Sequence, residues 1–297
     1  MDEWLEVSVE VDHETAEAVA EVLSRYTQRG VVLEGGPDGW EIEPVIVRGY
    51  LPVDEQLWTV KRQIEEGLWH LGQIRPIPEP SFRRVAEEDW SEAWKKQLKV
   101  LRIGERLVIR PSWLEHKPQP RDVIIELDPG MAFGTGLHPT TQLCLCALER
   151  LVRPGMDVLD LGTGSGILAI AAAKLGAGHV DALDSDQQAV QVARGNVMEN
   201  GAAEQVTVRK GSLADATGRY DLVVVNILAR VVTEMAKAGL SERLRPGGVV
   251  FAAGITADQA PEVVAALERN GLKLTDQRQR GDWVSLQTRR TPASAGA

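Results

Sequence analysis

Cysteine is almost absent from this chain of 297 residues, which contains only Cys144 and Cys146. The two lie in a stretch with helical spacing, where positions two apart direct their side chains about 200° away from each other. Such a pair is suited neither to a mutual disulfide bond nor to a shared metal ion. We expect two free thiols and predict no metal site.

Long apolar runs and targeting signals are also missing. No stretch of about 18 or more consecutive apolar residues occurs, which predicts that the chain does not span a membrane. Residues 1–6, Met-Asp-Glu-Trp-Leu-Glu, have neither the basic region nor the apolar region of a secretory signal peptide. We therefore expect a soluble protein of the cytoplasm.

Positive charge is in deficit. The 33 Lys and Arg residues are outnumbered by 43 Asp and Glu residues, for a net charge of −10. An acidic surface repels a nucleic-acid backbone and attracts basic partners, although it does not exclude a local basic patch. The composition favours a basic protein as the partner and predicts that direct binding of nucleic acid is not required.

The first 84 residues have the pattern of a small α+β domain. Alternation of apolar and polar residues predicts strands, and apolar residues at helical spacing predict helices. In order, the predicted elements are a strand (4–11), a helix (13–26), two strands (31–34 and 41–50), a helix (54–71) and a last strand (near 74–84). This order predicts the split βαβ, or ferredoxin-like, plan, and its prolines restrict the last strand to a sheet edge or an extended segment.

Residues 85–98 have the pattern of a helix that connects this domain to the rest of the chain. Trp90, Trp94 and Leu98 are four residues apart and would form one face of that helix. We favour a packing role for these tryptophans at the junction between the domains over a role in ligand binding.

Beyond residue 155 the pattern changes to alternating buried strands and helices, which is typical of a parallel sheet covered on both faces. Strands are expected at 157–161, 179–183, 206–209, 222–225 and 248–253, and helices at 167–175, 187–200, 228–239 and 257–269. Two last strands, 272–277 and 283–288, are so close in sequence that they must form an antiparallel hairpin. This is the architecture of Rossmann-like methyltransferases, so we predict such an α/β domain over residues 99–291, followed by a disordered tail at 292–297.

Residues 160–166, Asp-Leu-Gly-Thr-Gly-Ser-Gly, lie where a predicted strand turns into a helix. Glycines such as Gly162 and Gly164 allow a tight turn and let a ligand approach the main chain closely. A dinucleotide-binding turn would carry a third glycine where this chain has Ile167, and Asp160 would place an anion beside the phosphates. A ligand with a sulfonium and an ammonium and no phosphate tolerates both features, which favours S-adenosylmethionine.

Asp184 ends the next predicted strand, 22 positions after Gly162. A carboxylate at this position can accept hydrogen bonds from both ribose hydroxyls of the cofactor. The alternative is that Asp184 caps the following helix, although Ser185 and Asp186 are also placed to do so. We expect the adenine to lie beside residues 211–213, which follow the third strand.

Two further groups of candidates lie at a strand end and in a loop. Asn226 ends the fourth strand, where its amide can accept a hydrogen bond from a substrate amine and donate to the cofactor, unless it caps the following helix. The glycine- and proline-rich loop 127–141 is long enough to suggest a function of its own. In this loop His138 is a candidate base, although a structural role is favoured. The hydroxyl of Thr141 can serve as a helix cap or contact the cofactor.

Three of these segments together resemble the PrmA family of methyltransferases. They are Ala-Phe-Gly-Thr-Gly-x-His-Pro-Thr-Thr at 132–141, the glycine turn at 160–170 and Asn-Ile-Leu-Ala at 226–229. Glu88-Asp-Trp90 with Trp94, and Pro111-Ser-Trp113, also resemble the family, so the likeness spans about residues 85–290. The combination of the loop with the turn is highly selective. Leu137 stands where the family commonly has threonine or another polar residue.

The resemblance implies an enzyme that transfers methyl groups from S-adenosylmethionine to lysine ε-amines and the N-terminal α-amine of the eleventh protein of the large ribosomal subunit. The family's cofactor-binding positions correspond to Thr141, Gly162, Asp184 and Asn226. The resemblance also implies that the small N-terminal domain recognises the substrate and that the linker lets it swing. Residues 1–84 carry no motif of the family, so this expectation depends on the domain plan alone.

Methyl transfer from a sulfonium requires a neutral amine held in line with the methyl group. An α-amine, with a pKa of about 8, is partly neutral at physiological pH, and desolvation beside a positive sulfur lowers the pKa of a lysine amine. We therefore predict that Asn226 is the catalytic residue, that it orients the amine, and that no essential general base is required.

Two other readings remain: a methyltransferase for another protein, RNA or small-molecule amine, and a non-catalytic ribosome-binding module. Enzymes that methylate amino groups of nucleic acids often carry Asn-Pro-Pro-aromatic where this chain has Asn-Ile-Leu-Ala at 226–229. The acidic charge also opposes RNA as the substrate, and the glycine turn with Asp184 opposes a non-catalytic role. We expect the protein to be a monomer.

Overall fold

The computed structural model describes residues 3–24, 26–27, 31–34, 45–72, 76–86, 99–128, 136 and 138–290. They form two compact units, one up to residue 99 and the other from residue 100 onward. Within these residues, no helix combines the length and the apolar character that crossing a membrane requires.

The N-terminal unit contains one four-stranded antiparallel sheet and two helices. Its elements are β1 (Glu3–Val11), α1 (His13–Ser24), β2 (Val31–Glu34), β3 (Val45–Pro52), α2 (Leu57–Gly72) and β4 (Ser81–Ala86). The strands lie in the order β2-β3-β1-β4. The alternation in β1 directs Val7 and Val9 into an apolar core, which they share with Val19 of α1 and Ile64 of α2.

The end of this unit differs from the sequence prediction. β4 begins at Ser81 and not near residue 74, because prolines in the preceding segment have no N–H group to donate to a strand ladder. It lies at the edge of the sheet, beside β1, in agreement with the prediction of an edge strand. Residues 85 and 86 belong to β4, so a connecting helix does not begin at 85. The rest of that predicted helix, with its tryptophans, lies outside the described residues, as does the predicted tail.

The C-terminal unit contains two sheets and five α-helices among the residues described. Its elements are β5 (Leu101–Ile103), β6 (Leu107–Arg110), β7 (Val123–Glu126), α3 (Pro139–Leu151), β8 (Asp157–Leu161), α4 (Ile167–Lys174), β9 (His179–Asp184), α5 (Gln187–Glu199), β10 (Val206–Lys210), β11 (Tyr220–Asn226), α6 (Ala229–Lys237), β12 (Leu244–Thr256), α7 (Ala260–Arg269), β13 (Leu272–Arg280) and β14 (Trp283–Arg290). Short 3-10 helices lie at Leu213–Asp215 and Leu240–Arg243.

The larger sheet has the strand order β10-β9-β8-β11-β12-β14-β13. Its first five strands are parallel, whereas β14 runs antiparallel to β12 and to β13. Along β11, Leu222 and Val224 pack into one apolar cluster. Val223 and Val225 pack into a second cluster. Alternate residues of a central strand therefore supply both faces, which is the α/β arrangement that the sequence predicts.

The strand order reverses between β8 and β11, which are neighbours in the sheet although β9 and β10 intervene in the chain. In open α/β sheets, such a switch point creates a crevice outside the carboxyl ends of the strands, where ligands bind. The glycine turn follows β8, and Asn226 ends β11. The fold therefore brings both predicted motifs to the edge of the same crevice.

A three-stranded sheet of β5, β6 and β7 was not among the sequence predictions. β6 pairs antiparallel with β5 and parallel with β7. These strands have only three or four residues each, and residues 111–122 between β6 and β7 include three prolines. Runs this short are too brief to establish a period of two, so alternation could not reveal them.

Candidate functional site

The glycine turn after β8 connects two of the strands that border the crevice. Gly162 has a φ of +74° and donates its N–H to the carbonyl of Leu183 in β9, at 2.8 Å. A Cβ at Gly162 would lie 2.5 Å from Cγ2 of Ile227, which follows β11. The turn therefore requires glycine both for its backbone conformation and for close packing against the segment that carries Asn226.

Asp160, the acidic residue of the turn, is buried, with 1% of its surface exposed. Its Oδ2 accepts a hydrogen bond from the hydroxyl of Thr163 at 2.6 Å, and its Oδ1 has no hydrogen-bond partner among the described residues. Burial raises the pKa of Asp160 to about 7, the Thr163 hydrogen bond opposes the change, and the nearby charge of Asp184 adds to it. The free protein therefore holds a carboxyl group that ionises near neutral pH.

This raised pKa predicts that the free protein becomes less stable as the pH rises. Because the folded state favours the protonated form, the stabilising contribution of Asp160 is complete below its ordinary pKa of 3.8 and is lost as the pH passes through about 7. We expect Asp160→Asn to flatten the dependence of Tm on pH between roughly pH 5 and 8, and to gain roughly 2–4 kcal/mol at the alkaline end. Thermal denaturation across this range tests it. The exposed Asp282 supplies a control, since Asp282→Asn should keep the wild-type slope; an unchanged slope in Asp160→Asn would contradict the expectation.

Asp184 ends β9 and points towards the glycine turn. Its Oδ2 accepts the N–H of Gly164 at 2.9 Å, and its Oδ1 accepts the N–H of Asp186 at 3.0 Å. The cap of α5 is Asp186, whose side chain accepts the N–H of Gln188. The capping alternative for Asp184 is therefore wrong. Each carboxylate oxygen can accept further hydrogen bonds from a ligand.

Asn226 and Thr141 lie in contact, although they are 85 positions apart in the chain. Nδ2 of Asn226 donates to Oγ1 of Thr141 at 3.4 Å, and Thr141 is 1% exposed. Asn226 does not cap α6, since the residue at that position is Leu228, and no side chain makes the capping hydrogen bond. The amide of Asn226 is partly exposed and is available to a ligand through its carbonyl oxygen.

His138 has a structural role at the start of α3. It is the N-cap residue, its Nδ1 lies 2.6 Å from Oγ1 of Thr140, and it accepts the N–H of Thr140 at 3.3 Å. Its ring also meets the ring of Trp283 edge to face, with centroids 4.9 Å apart. The cap of α3 is therefore His138 and not Thr141, and helix α3 begins at Pro139. Residues 129–135 and 137 of the predicted loop lie outside the described residues.

Sequence reasoning missed Gly254 near the end of β12. Its φ is +82°, and a Cβ there would lie 2.3 Å from the carbonyl oxygen of Ile227. The ladder between β12 and β14 is irregular at this point, between Ala252 and Ile255. The available signal was a glycine directly after the predicted buried strand 248–253, because glycines within a strand mark a bulge or the close approach of another backbone.

Residues 211–213 lie beyond β10, close to the end of β9. The N–H of Gly211 donates to the carbonyl of Asp184 at 2.8 Å. The N–H of Ser212 donates to Oδ2 of Asp215 at 2.8 Å, and Leu213 is buried. This segment is therefore held beside Asp184, the position that the prediction for the adenine requires.

The carboxyl groups at the crevice edge of the sheet favour a positively charged ligand. The crevice residues include the carboxyl groups of Asp160 and Asp184, and within the described part of the chain neither forms an ion pair with Lys, Arg or His. The described residues also contain no cluster of His, Cys, Asp and Glu that could hold a metal ion. A ligand with positive charge and without phosphate fits this donor set, whereas a pyrophosphate would face an uncompensated Asp160.

A solved structure places this fold in a class. The crystal structure of a ribosomal protein L11 methylase from Lactobacillus delbrueckii subsp. bulgaricus is similar to this chain, with a TM-score of 0.62 and 38% sequence identity. The superposition covers 66% of this chain and 100% of that chain. The fold and the crevice are those of a Rossmann-like methyltransferase, as the sequence predicts.

Sequence comparison identifies the family within this class. The family model for ribosomal protein L11 methyltransferase (PrmA) matches residues 3–291. A ribosomal protein L11 methyltransferase of Chloroflexus aurantiacus is 49% identical, over 97% of this chain and 98% of its own length. The one of Herpetosiphon aurantiacus is 43% identical, over 98% and 99%. The chain belongs to the ribosomal protein L11 methyltransferase (PrmA) family, which confirms the resemblance drawn from its motifs.

Proposed function

We propose that this protein uses S-adenosylmethionine to methylate lysine ε-amines and the N-terminal α-amine of ribosomal protein L11. The observation that carries the proposal is the acidic crevice at the ends of β8, β9 and β11, where a glycine turn lies beside two carboxyl groups without a cationic partner among the described residues. Membership of the family supplies the substrate, and the acidic net charge suits a basic ribosomal protein.

The cofactor would be held by residues from four different elements. Because Gly162 and Gly164 have no side chains, the cofactor can approach the main chain of the turn closely. The carboxylate of Asp184 accepts hydrogen bonds from the ribose hydroxyls of the cofactor. Thr141 and Asn226, which are hydrogen-bonded to each other, would border its methionine portion. When bound, S-adenosylmethionine supplies a methyl group activated by a positively charged sulfur.

The chain's own contribution to the reaction is alignment. The carbonyl oxygen of Asn226 accepts a hydrogen bond from the substrate amine, because its Nδ2 is directed to Thr141, and this orients the nitrogen lone pair. Partial desolvation in the crevice lowers the pKa of a lysine amine and favours the neutral, nucleophilic form. His138 is engaged in capping α3, which agrees with a mechanism without an essential general base.

We also propose that the N-terminal unit is a ferredoxin-like domain that receives the basic substrate. Its strand order, β2-β3-β1-β4, with one helix before β2 and one before β4, supports this classification. Residues 1–99 hold 21 Asp and Glu against 11 Lys and Arg, a net charge of −10, whereas residues 100–297 hold 22 of each. The entire net negative charge of the protein therefore lies in this unit, where it would attract a basic protein.

We expect Asp184→Ala to weaken the binding of S-adenosylmethionine by about 1–3 kcal/mol, because a charged acceptor of hydrogen bonds is lost. Isothermal titration calorimetry with the purified protein measures the change. Asp186→Asn is a matched control, since asparagine preserves the cap of α5 while a neighbouring carboxylate is still removed. Unchanged affinity in Asp184→Ala, or an equal loss in the control, would reject a specific ribose contact.

The proposed activity is tested by incubating the protein with methyl-labelled S-adenosylmethionine and individual purified ribosomal proteins. We expect label in ribosomal protein L11, and mass spectrometry of its peptides distinguishes lysine side chains from the N-terminal amine. Substrate acetylated only at its N-terminus should lose the α-amine signal and keep the lysine signal. Label in ribosomal RNA, or in no ribosomal component, would overturn the proposal in favour of another methyltransferase or of a non-catalytic module.

A further inference from the structure

A cavity of about 670 Å³ lies in the C-terminal unit and contains none of the residues assigned to the cofactor. It is lined by Gly104, Glu105, Arg106, Arg121, Cys146, Glu149, Arg150 and Arg278. These residues come from the turn between β5 and β6, the segment before β7, the second half of α3, and β13. We name this cavity the arginine cleft. Arg150 lies nine residues after Thr141 on α3, so the cleft is about 13 Å along that helix from the proposed cofactor site.

The carboxylate of Glu149, which lines the arginine cleft, stabilises the local fold. Glu149 is 11% exposed and accepts the N–H groups of Glu105 and Arg106 at 2.8 and 2.6 Å. Its Oε1 also lies 3.4 Å from Nε of Arg106, so Glu149 both holds the turn between β5 and β6 and pairs with one arginine of the cleft. Asp276 on β13 lies 3.0 Å from Nε of Arg278 and 3.8 Å from Nη1 of Arg150.

The arginines outnumber the carboxylates that face them. Four arginines line the cleft, against Glu105, Glu149 and the adjacent Asp276. Nη2 of Arg150 is buried and has no hydrogen-bond partner within the described part of the chain, although a guanidinium N–H without an acceptor is unfavourable. Burial raises the pKa of the Cys146 thiol, followed by the effect of Glu149, but the guanidiniums of Arg280, Arg150 and Arg278 oppose that rise. The positive charges of three arginines therefore act on the Cys146 thiol, which lines the cleft.

The chemistry of the lining indicates the ligand. Guanidinium groups bind phosphate oxygens through paired N–H groups, and several arginines on separate elements suit successive phosphates of a chain. Among the described residues, no aromatic side chain lines the cleft, so these residues offer no platform on which a base could stack. Residues 100–297 hold equal numbers of acidic and basic residues, so the net negative charge of the chain does not come from the unit that contains the cleft. We propose that the arginine cleft binds the phosphodiester backbone of single-stranded RNA without reading its sequence.

The test measures binding and does not depend on the proposed function. Fluorescence anisotropy follows a labelled RNA of about twelve nucleotides titrated with the full chain at several salt concentrations. Wild-type affinity should fall linearly with salt on a double-logarithmic plot. The double variant Arg121→Gln/Arg278→Gln should bind roughly tenfold more weakly, and its slope should be smaller by about 1.4, because each phosphate contact to a single strand contributes about 0.7.

A matched variant tests whether a loss of RNA affinity is specific to the cleft or follows from the removal of any two positive charges. Arg269→Gln/Arg289→Gln removes the same charge from exposed positions that do not line the cleft, and it should bind RNA as the wild type does. Thermal denaturation establishes that both variants are folded. An equal loss of affinity in this control, or no wild-type binding at low salt, would overturn the proposal. So would adenosine monophosphate or polyglutamate binding as tightly as the RNA, since these would indicate a small phosphorylated ligand or an acidic peptide.

Discussion

Replacing Gly254 with alanine is expected to remove roughly 2–5 kcal/mol of unfolding free energy and most of the methyltransferase activity. The added Cβ would lie 2.3 Å from the carbonyl oxygen and 3.0 Å from the nitrogen of Ile227. Both are backbone atoms, so no side-chain rotation relieves the contact. The φ of +82° adds the strain of a left-handed conformation.

The loss of activity follows from the position of Ile227. Relief of the contact moves this residue and the adjacent Asn226, whose amide is hydrogen-bonded to Thr141 at 3.4 Å. Ile227 also packs against the glycine turn, since the Cβ position of Gly162 is 2.5 Å from its Cγ2. A displacement would therefore reach both halves of the proposed cofactor site. Chemical denaturation and initial rates of methyl transfer measure the two effects.

Gly247 provides the matched control for this prediction. It also lies in β12, with a φ of +77°, but a Cβ there would meet nothing within 4 Å. Gly247→Ala should therefore cost only the conformational strain, about 1–2 kcal/mol, and leave the activity unchanged. If the two variants lost stability and activity equally, the contact with Ile227 would not be the cause. If Gly254→Ala retained wild-type activity, the packing of this glycine would not control the site.

The second large effect is expected from Asn226→Ala, whose kcat should fall about 100-fold, because the substrate amine is no longer oriented at near-attack distance. Cofactor affinity should change less, because Asp184 and the glycine turn remain. The dependence of kcat on pH should keep its shape, since the titrating group in this mechanism is the substrate amine and not a residue of the enzyme. Single-turnover kinetics with ribosomal protein L11, together with calorimetry for the cofactor, measure these quantities.

Variants of Thr141 sharpen the interpretation of Asn226. Thr141→Ser keeps the hydroxyl that accepts the amide N–H, and it should retain near-normal rates. Thr141→Val removes this acceptor from a buried position and releases the orientation of the Asn226 amide, so its kcat should fall as well. Turnover and cofactor affinity that both remain unchanged in Asn226→Ala would refute the role proposed for this residue.

Much of the larger domain was predictable because its elements are long and strongly patterned. Continuous apolar runs such as Leu222–Val225 identify central parallel strands, and the helices between them have clear apolar faces. The candidate site was predictable for a related reason. In this class of fold, ligands bind at the carboxyl ends of strands, so Asp160, Asp184 and Asn226 could be located by counting strands.

Other features depend on contacts between distant residues, which one-dimensional patterns do not contain. The strands β5, β6 and β7 are too short to show a period. The role of His138 was settled only by the geometry of the start of α3, where it caps the helix and meets Trp283. The start of β4 was placed too early because the prolines before it, tolerated in extended chain, cannot join the ladder.

By itself, the sequence determined the class of fold, the family and the residues that border the crevice at the strand ends, because these follow from local spacing along single strands and turns. Only the tertiary structure revealed that Gly254 supports Ile227, that Asn226 is directed to Thr141, and that arginines from four separate segments meet in one cleft. The physical reason is that burial and close approach are properties of pairs of residues. The arginines of the cleft are up to 172 positions apart in the chain, as Arg106 and Arg278 are.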